Sequence, residues 1–348
     1  MDRDTFAKRQ AAMTSNWYEN VKRTHGDVKA YIASRHRAYL DRWQEAGRFI
    51  PDGAKILDIG GGNLFPALLE YIKSKRLDYH YLDIDETAVD GSRNLAAEHG
   101  FDPNKFSQGF NDQFAFENEA FDCIFSSHCV EHSINLSKTF SELNRILRPD
   151  GFLLMAVPFG WEENPEHPYF FNPEQWITLV EDAGFEIRIA QIGREYPEHG
   201  YDFFIAARKK APYLITQRLD PNDYRKENYD YVSFTDPCIS YFGNKQITHE
   251  GNAAHLRGDD WSIEIKPAVK ISAILPIFLN HDWSAAIETS VDGRRPAYTD
   301  LFSWFPYVQP VRLGIPPGKS FSPIIVTPIG KNASSRSTEG VFYGFMYR

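Results

Sequence analysis

The chain has 348 residues, 42% of them hydrophobic and 15% aromatic, which is a globular composition with room for two domains. Its formal charge of −9 sits in the front part, since residues 213–348 balance 14 acidic against 14 basic residues and leave 33 acids against 24 bases before them. That surplus disfavours a nucleic-acid substrate, and three cysteines in no paired spacing point to neither a disulfide framework nor a cysteine zinc site.

Residues 1–50 read as helices, with Trp17, Tyr18 and Val21 and then Val28, Tyr31, Ile32, Tyr39, Leu40 and Trp43 at near-helical spacing, ending before Pro51-Asp-Gly. Such a segment is expected to lie over a ligand mouth as a helical lid, with Arg35, His36 and Arg37 as its polar candidates.

Lys-Ile-Leu-Asp-Ile-Gly-Gly-Gly-Asn-Leu, residues 55–64, reads as a buried strand followed at once by a glycine turn and then by the helical run Phe65, Leu68, Leu69, Ile72. A dinucleotide fingerprint would need a third glycine where Phe65 stands, so the NAD reading is weak. Asp58 beside the loop would repel a pyrophosphate and suits a cationic ligand. Asp83 ends the next strand, 25 residues after Asp58, which is one helix plus one strand of a βαβ unit. A carboxylate there can accept from both hydroxyls of a ribose, or it can cap the following helix.

After a helix over 86–99 come Gly109-Phe-Asn-Asp and the strand Phe121–Phe125, whose exit reads Ser-Ser-His-Cys-Val-Glu-His, residues 126–132. That exit carries the densest polar chemistry in the chain. It also spells the inverted zincin pattern H-x-x-E-H, which needs a helical frame and a later ligand rather than a strand exit. A helix on Leu136, Phe140, Leu143 and Ile146 then stops at Pro149-Asp-Gly ahead of a fifth strand. An aromatic loop from His167, a capped helix, a sixth strand over 187–192 and a seventh from Tyr201 follow.

Ile-Leu-Asp-Ile-Gly-Gly-Gly resembles motif I of the class I S-adenosylmethionine-dependent methyltransferases, and the later strand and helix order over residues 50–208 resembles theirs too. The resemblance implies an α/β, seven-stranded Rossmann-like sheet and S-adenosyl-L-methionine as cofactor, with S-adenosyl-L-homocysteine as product. It implies cofactor contacts from Asp58, Gly60, Gly61, Gly62, Asn63, Asp83, Ile84 and Ser127, and an adenine contact from Asn111 or Asp112. Leu64 departs from the pattern, since most members have a further glycine there, so the following helix must start differently or sit farther from the loop. For a hydroxyl acceptor a base is needed, and His128 is the first candidate, followed by His132 and His167, with Glu131 as an orienting group. No metal ligand is assigned, and assistance by a divalent metal is left open.

From Ala211 the texture changes. A polar linker is expected over 211–235, and short alternating runs with the turn signal Asp292-Gly293 give a separate all-β, jelly-roll-like sandwich over 236–348. Trp261, Trp283, Trp304, Phe305 and Tyr307 are expected in its core rather than as a sugar platform. The expected organisation is thus a lid (1–50), a methyltransferase domain (51–210), a linker and a sandwich. The expected acceptor is a small molecule or glycan, namely a saccharide, nucleotide-sugar or polysaccharide end, acted on by O-methylation. The rivals are a non-catalytic cofactor-sensing, glycan-binding scaffold and a methyltransferase for a small secondary metabolite. No basic-then-apolar leader opens the chain and Pro276 breaks its longest apolar run, so a soluble, cytoplasmic protein without a membrane span is expected, its oligomeric state open.

Overall fold

The structure, a computed structural model, describes residues 3–24, 28–160, 167–193, 201–210, 230–248, 253–267, 274–291, 297–304, 306–310 and 323–347. The turn at Asp292-Gly293, Phe305, most of the expected linker and the side chains of Trp17, Tyr18 and Tyr307 lie outside them.

The chain divides into two compact units, the first made of 1–133, 142–159 and 185–211 and the second of 134–141, 160–184 and 212–348. A linear cut at residue 210 would place 134–141 and 160–184 in the first.

In the first unit, helices α1 (Arg3–Thr24) and α2 (Val28–Ala46) precede β1 (Lys55–Ile59), α3 (Pro66–Ser74), β2 (Asp78–Asp83), α4 (Glu86–Glu98), β3 (Phe106–Gln108) and β4 (Phe121–Ser127). Next come α5 (Leu136–Ile146), which the division cuts, β5 (Leu147–Val157), and, after α6 (Pro173–Asp182) of the second unit, β6 (Phe185–Ile192) and β7 (Phe203–Lys209). The sheet order is β3-β2-β1-β4-β5-β7-β6. Strands β1 to β5 are parallel and β7 runs antiparallel between β5 and β6. Because β1 is central, Ile56, Leu57 and Ile59 are buried on both faces, and the glycine turn lies at the carboxyl end of the sheet, where the order reverses.

Helix α2 is anchored in the core. Trp43 is fully buried, its ring centroid 4.5 Å from that of Phe125 on β4, in one apolar cluster with Ile56, Leu68, Leu69 and Ile72. Truncating a buried tryptophan costs about 3–5 kcal/mol, so this contact ties α2 firmly to the sheet.

In the second unit, strands β8 (Asp230–Ser233), β9 (Ile239–Thr248), β10 (Ala253–Ile265), β11 (Ile274–Asn280), β12 (Ala285–Val291), β13 (Ala297–Asp300), β14 (Tyr307–Pro310), β15 (Ile324–Lys331) and β16 (Gly340–Tyr347) join as one antiparallel sheet. Strand β8 forms where the last residues of the linker were expected. Along one edge β10 bonds first β16, through Ala254–Leu256, and then β15, through Ile263–Ile265. Its other edge stays with β9 through a bulge between Arg257 and Ser262, so these two strands run through both halves of the sheet. Trp261 is buried as expected. Trp283 is half-buried between the rings of His281, at 4.6 Å, and His255, at 5.5 Å. Helix α6, opened by an Asn172–Gln175 capping box, packs in this unit against β13, with the Phe171 ring 5.3 Å from that of Tyr298.

Candidate active site

The glycine turn is shaped by what its missing β-carbons would strike. Gly60 has φ +69° and a Cβ there would lie 2.5 Å from Cys129 Sγ, while at Gly61 it would meet Asp58 Oδ2 and Tyr81 at 2.9 Å. Gly62 has φ +60° and opens onto space, with nothing within 4 Å. Helix α3 starts only at Pro66, with Phe65 as a cap that makes no side-chain bond. Leu64 is absorbed by this late start: its side chain is buried and its N–H donates to Ser92 Oγ at 3.1 Å.

The two acids of the βαβ unit do different work. Asp58 is fully buried and accepts from Tyr79 (2.7 Å) and from Tyr39 of α2 (2.9 Å), and burial pushes its carboxyl up to about 7 against the pull of those hydroxyls. Asp83 ends β2 at the mouth of the turn, where Oδ2 accepts from Gly62 N (3.0 Å) and Oδ1 from Asp85 N (2.9 Å). Burial raises its carboxyl as well. Capping of α4 falls to Asp85, which accepts from Thr87 N, so Asp83 is not the helix cap. Asn63 is exposed on the turn, and Ile84 follows Asp83 with its carbonyl accepting from Gln108.

Asp112 is fully buried and both its oxygens are held by Arg3 of α1, at 2.8 and 2.9 Å. Asn111 donates to Ser133 Oγ at 3.0 Å and, more weakly, to Cys129 Sγ. Asp112 is thus committed to an ion pair with Arg3, and Asn111 to hydrogen bonds at the exit of β4.

At the exit of β4, His128 takes the left-handed conformation, φ 52°, with its N–H bonded to Ala156 O of β5. Val130–His132 form a single 3-10 turn, so the H-x-x-E-H run lies on a strand exit and a tight turn, not on a helix. The imidazole of His128 meets Asp202 Oδ1 through Nε2 at 2.6 Å, and Arg42 Nε donates to the other oxygen of Asp202. Burial alone would raise Asp202, but the bond from His128 and the charges of His128 and Arg42 outweigh it and hold the carboxyl down at about 2. Burial lowers His128, outweighing the pull of Asp202. Glu131 is fully buried, its Oε1 3.7 Å from His128 Nδ1 and 3.8 Å from His132 Nε2. Neither Glu131 oxygen has a hydrogen-bond partner among the described residues, and burial pushes it up to about 8. The hydroxyls of Ser126 and Ser127, also buried, are likewise unpartnered. His167 lies in the second unit, its ring 5.8 Å from that of Phe170.

Tyr39, Tyr79, Arg42 and Asp202 were not singled out by sequence reasoning. Of the lid candidates, His36 stacks on Phe65 at 4.2 Å, Arg35 is half-buried and Arg37 is exposed.

A sheet of this order, with a glycine turn after β1 and an acid closing β2, has the Rossmann-like arrangement of methyltransferase folds. Residues 31–188 match the family model described as a methyltransferase domain. A sarcosine/dimethylglycine N-methyltransferase of Aphanothece halophytica is 28% identical over 118 residues, covering 33% of this chain and 42% of that protein. A sterol 24-C-methyltransferase of Yarrowia lipolytica is 25% identical over 181 residues, covering 47% and 46%. Among solved structures, Haemonchus contortus phospholethanolamine N-methyltransferase 2, in complex with phosphomonomethylethanolamine and S-adenosylhomocysteine, aligns with a TM-score of 0.41 at 17% identity, covering 49% of this chain and 52% of that one. The chain spans less than half the length of these curated relatives. S-adenosyl-L-methionine is the cofactor these matches support, and the open space at Gly62 beside Asp83, with the orphaned hydroxyls of Ser126 and Ser127, fits it. No helix among the described residues is long and apolar enough to cross a membrane.

Proposed function

We propose that the first unit is an S-adenosylmethionine-dependent methyltransferase in which Asp83 holds the cofactor ribose and the Gly60–Gly62 turn admits the cofactor backbone-close. Asn63, Ile84, Asn111 and Ser127 line the same mouth, and Asp58, behind the turn, supplies the negative potential that favours a cation. The observation that carries this reading is the placement of Asp83, bonded to Gly62 N at the mouth of a turn whose outer side is open. When bound, the cofactor supplies an electrophilic methyl group on a sulfonium. The chain's own contribution is alignment and proton removal, with His128 receiving the acceptor's proton and passing it to solvent once product leaves. Leu64, the one departure from the family's glycine pattern, is accommodated by the late start of α3, which supports the catalytic reading over the non-catalytic scaffold.

A hydroxyl acceptor needs such a base more than an amine does, so we place the acceptor among saccharides, nucleotide-sugars or polysaccharide ends. The appended β unit, which we read as a sandwich folded about the β9–β10 bulge, supports that choice by offering a surface the core lacks. Trp283 is not its platform, since the His281 imidazole stacks on it and the His255 ring lies close by. The second reading is a small metabolite with a nitrogen or carbon acceptor, favoured by the similarity to an N-methyltransferase and a C-methyltransferase.

Calorimetry with S-adenosylmethionine and S-adenosylhomocysteine, followed by a mass-shift screen of acceptors, tests both levels. His128→Ala and His167→Ala are expected to keep cofactor binding while at least one loses most turnover. Full activity in both removes the histidine assignment, and no binding of either ligand removes the whole reading.

A further inference from the structure

The exit of β4 places one imidazole among four charged or titratable groups drawn from three places in the chain. Asp202 precedes β7 and meets His128 Nε2 at 2.6 Å. Arg42 comes from α2 and holds the other Asp202 oxygen. Glu131 follows on the 3-10 turn, 3.7 Å from Nδ1 and too far for a hydrogen bond. Arg35, also from α2, adds a positive field. Arg42 and Asp202 are both more than nine-tenths buried, so this is a fixed arrangement rather than a surface encounter. The left-handed backbone at His128 fixes where its ring leaves the strand.

We propose that Arg42 and Asp202 are positioning residues that lock His128 in the tautomer protonated at Nε2, leaving Nδ1 as the nitrogen that takes the acceptor's proton. This rests on the reading of His128 as the base. An ionised carboxylate only accepts, so the single proton of a neutral imidazole must lie on the nitrogen facing it. Arg42 only donates, so it keeps an oxygen, not a hydroxyl, at the far end of Asp202. The chain of donors then runs one way, from guanidinium and imidazole into the carboxylate. In the transfer step the acceptor's O–H bond breaks, its electron pair stays on oxygen to form the bond to the methyl carbon, and the proton moves to Nδ1. The electron pair of the carbon–sulfur bond stays on sulfur. His128 is then an imidazolium beside ionised Asp202, which stabilises that charge until the proton is released.

Asp202→Asn separates this role from mere packing. Arg42 must still meet an oxygen, so the carboxamide turns its NH2 to His128, Nε2 must accept, and the proton is driven to Nδ1. The experiment is nitrogen NMR of the full chain labelled at histidine, with the His128 signals assigned by their absence in His128→Gln. The expected result is an unprotonated Nδ1 and a protonated Nε2 in the native chain at pH 7.5, reversed in Asp202→Asn. Arg42→Met is expected to keep the native tautomer but to titrate His128 at higher pH, since a positive charge has been removed. A native chain protonated at Nδ1, or an unchanged tautomer in a folded Asp202→Asn, overturns the proposal. Should Asp202→Asn fail to fold, the native tautomer and the Arg42→Met titration decide it alone. S-adenosylhomocysteine calorimetry on the same samples keeps the two levels apart: no binding to the native chain defeats the methyltransferase reading whatever the tautomer.

Discussion

The hydroxyl of Tyr39 lies 2.9 Å from Asp58 Oδ1, so a residue of the second helix closes the carboxyl that begins the glycine turn. Tyr79 reaches the same carboxyl from β2. A charge that would otherwise be isolated in the core is thereby shared between two donors, one of them outside the sheet.

Removing one donor should therefore cost more when the carboxyl is ionised. Tyr39→Phe is expected to lower stability by about 1.5–3 kcal/mol at pH 8 and by only about 0.5–1.5 kcal/mol at pH 5.5, where Asp58 is protonated. Denaturant melts at the two pH values check it, and an equal loss at both would show that Asp58 does not titrate near 7.

Asp58 also sets a pH dependence whose sign is fixed by its raised value of about 7. Between about pH 4 and 7 the folded chain holds a proton that the unfolded chain releases, so this group stabilises the fold most at low pH and its contribution is lost as pH rises through 7. Asp58→Asn is expected to gain in melting temperature relative to the native chain as pH goes from 5 to 8, and to lose cofactor affinity. Binding of the cationic donor at pH 6.5 should release protons, seen as heats that change with the ionisation enthalpy of the buffer.

How much of this was legible beforehand depends on distance along the chain. The strand, the glycine turn and the acid at the end of β2 were readable because each is decided within a few residues, and the seven-stranded sheet was expected from the family resemblance. Asp202 was invisible because it sits at the start of the ordinary-looking run Tyr201-Asp-Phe-Phe, and its partner Arg42 lies 160 residues earlier. Asp112 illustrates the same limit: the family resemblance offered it an adenine contact, but nothing local announces that Arg3 takes both its oxygens.

Asp83 should be the side chain whose loss is felt most by the cofactor. Asp83→Ala is expected to weaken S-adenosylhomocysteine binding by about 50-fold or more, since two hydrogen bonds to a charged acceptor are lost. Calorimetry reads this directly, and an affinity unchanged within about threefold would place the ribose elsewhere.

The contact between Gly60 and Cys129 predicts an asymmetric rescue. Gly60→Ala places a methyl group 2.5 Å from Sγ and 2.6 Å from Cβ of Cys129 and imposes a left-handed φ on alanine. A loss of about 1–3 kcal/mol is expected. Cys129→Ala should restore little, because its β-carbon remains, whereas Cys129→Gly should restore more of the melting temperature.

Tyr39 and Arg42 sit one turn apart on α2, and each ends on a buried carboxylate, Asp58 within β1 and Asp202 just ahead of β7. An excised catalytic fragment beginning at Pro51 would leave Asp58 short of one donor and Asp202 without its guanidinium. The smallest autonomous unit for expression must therefore start upstream of Val28, and shortening from that end should erode solubility before it merely trims a flap.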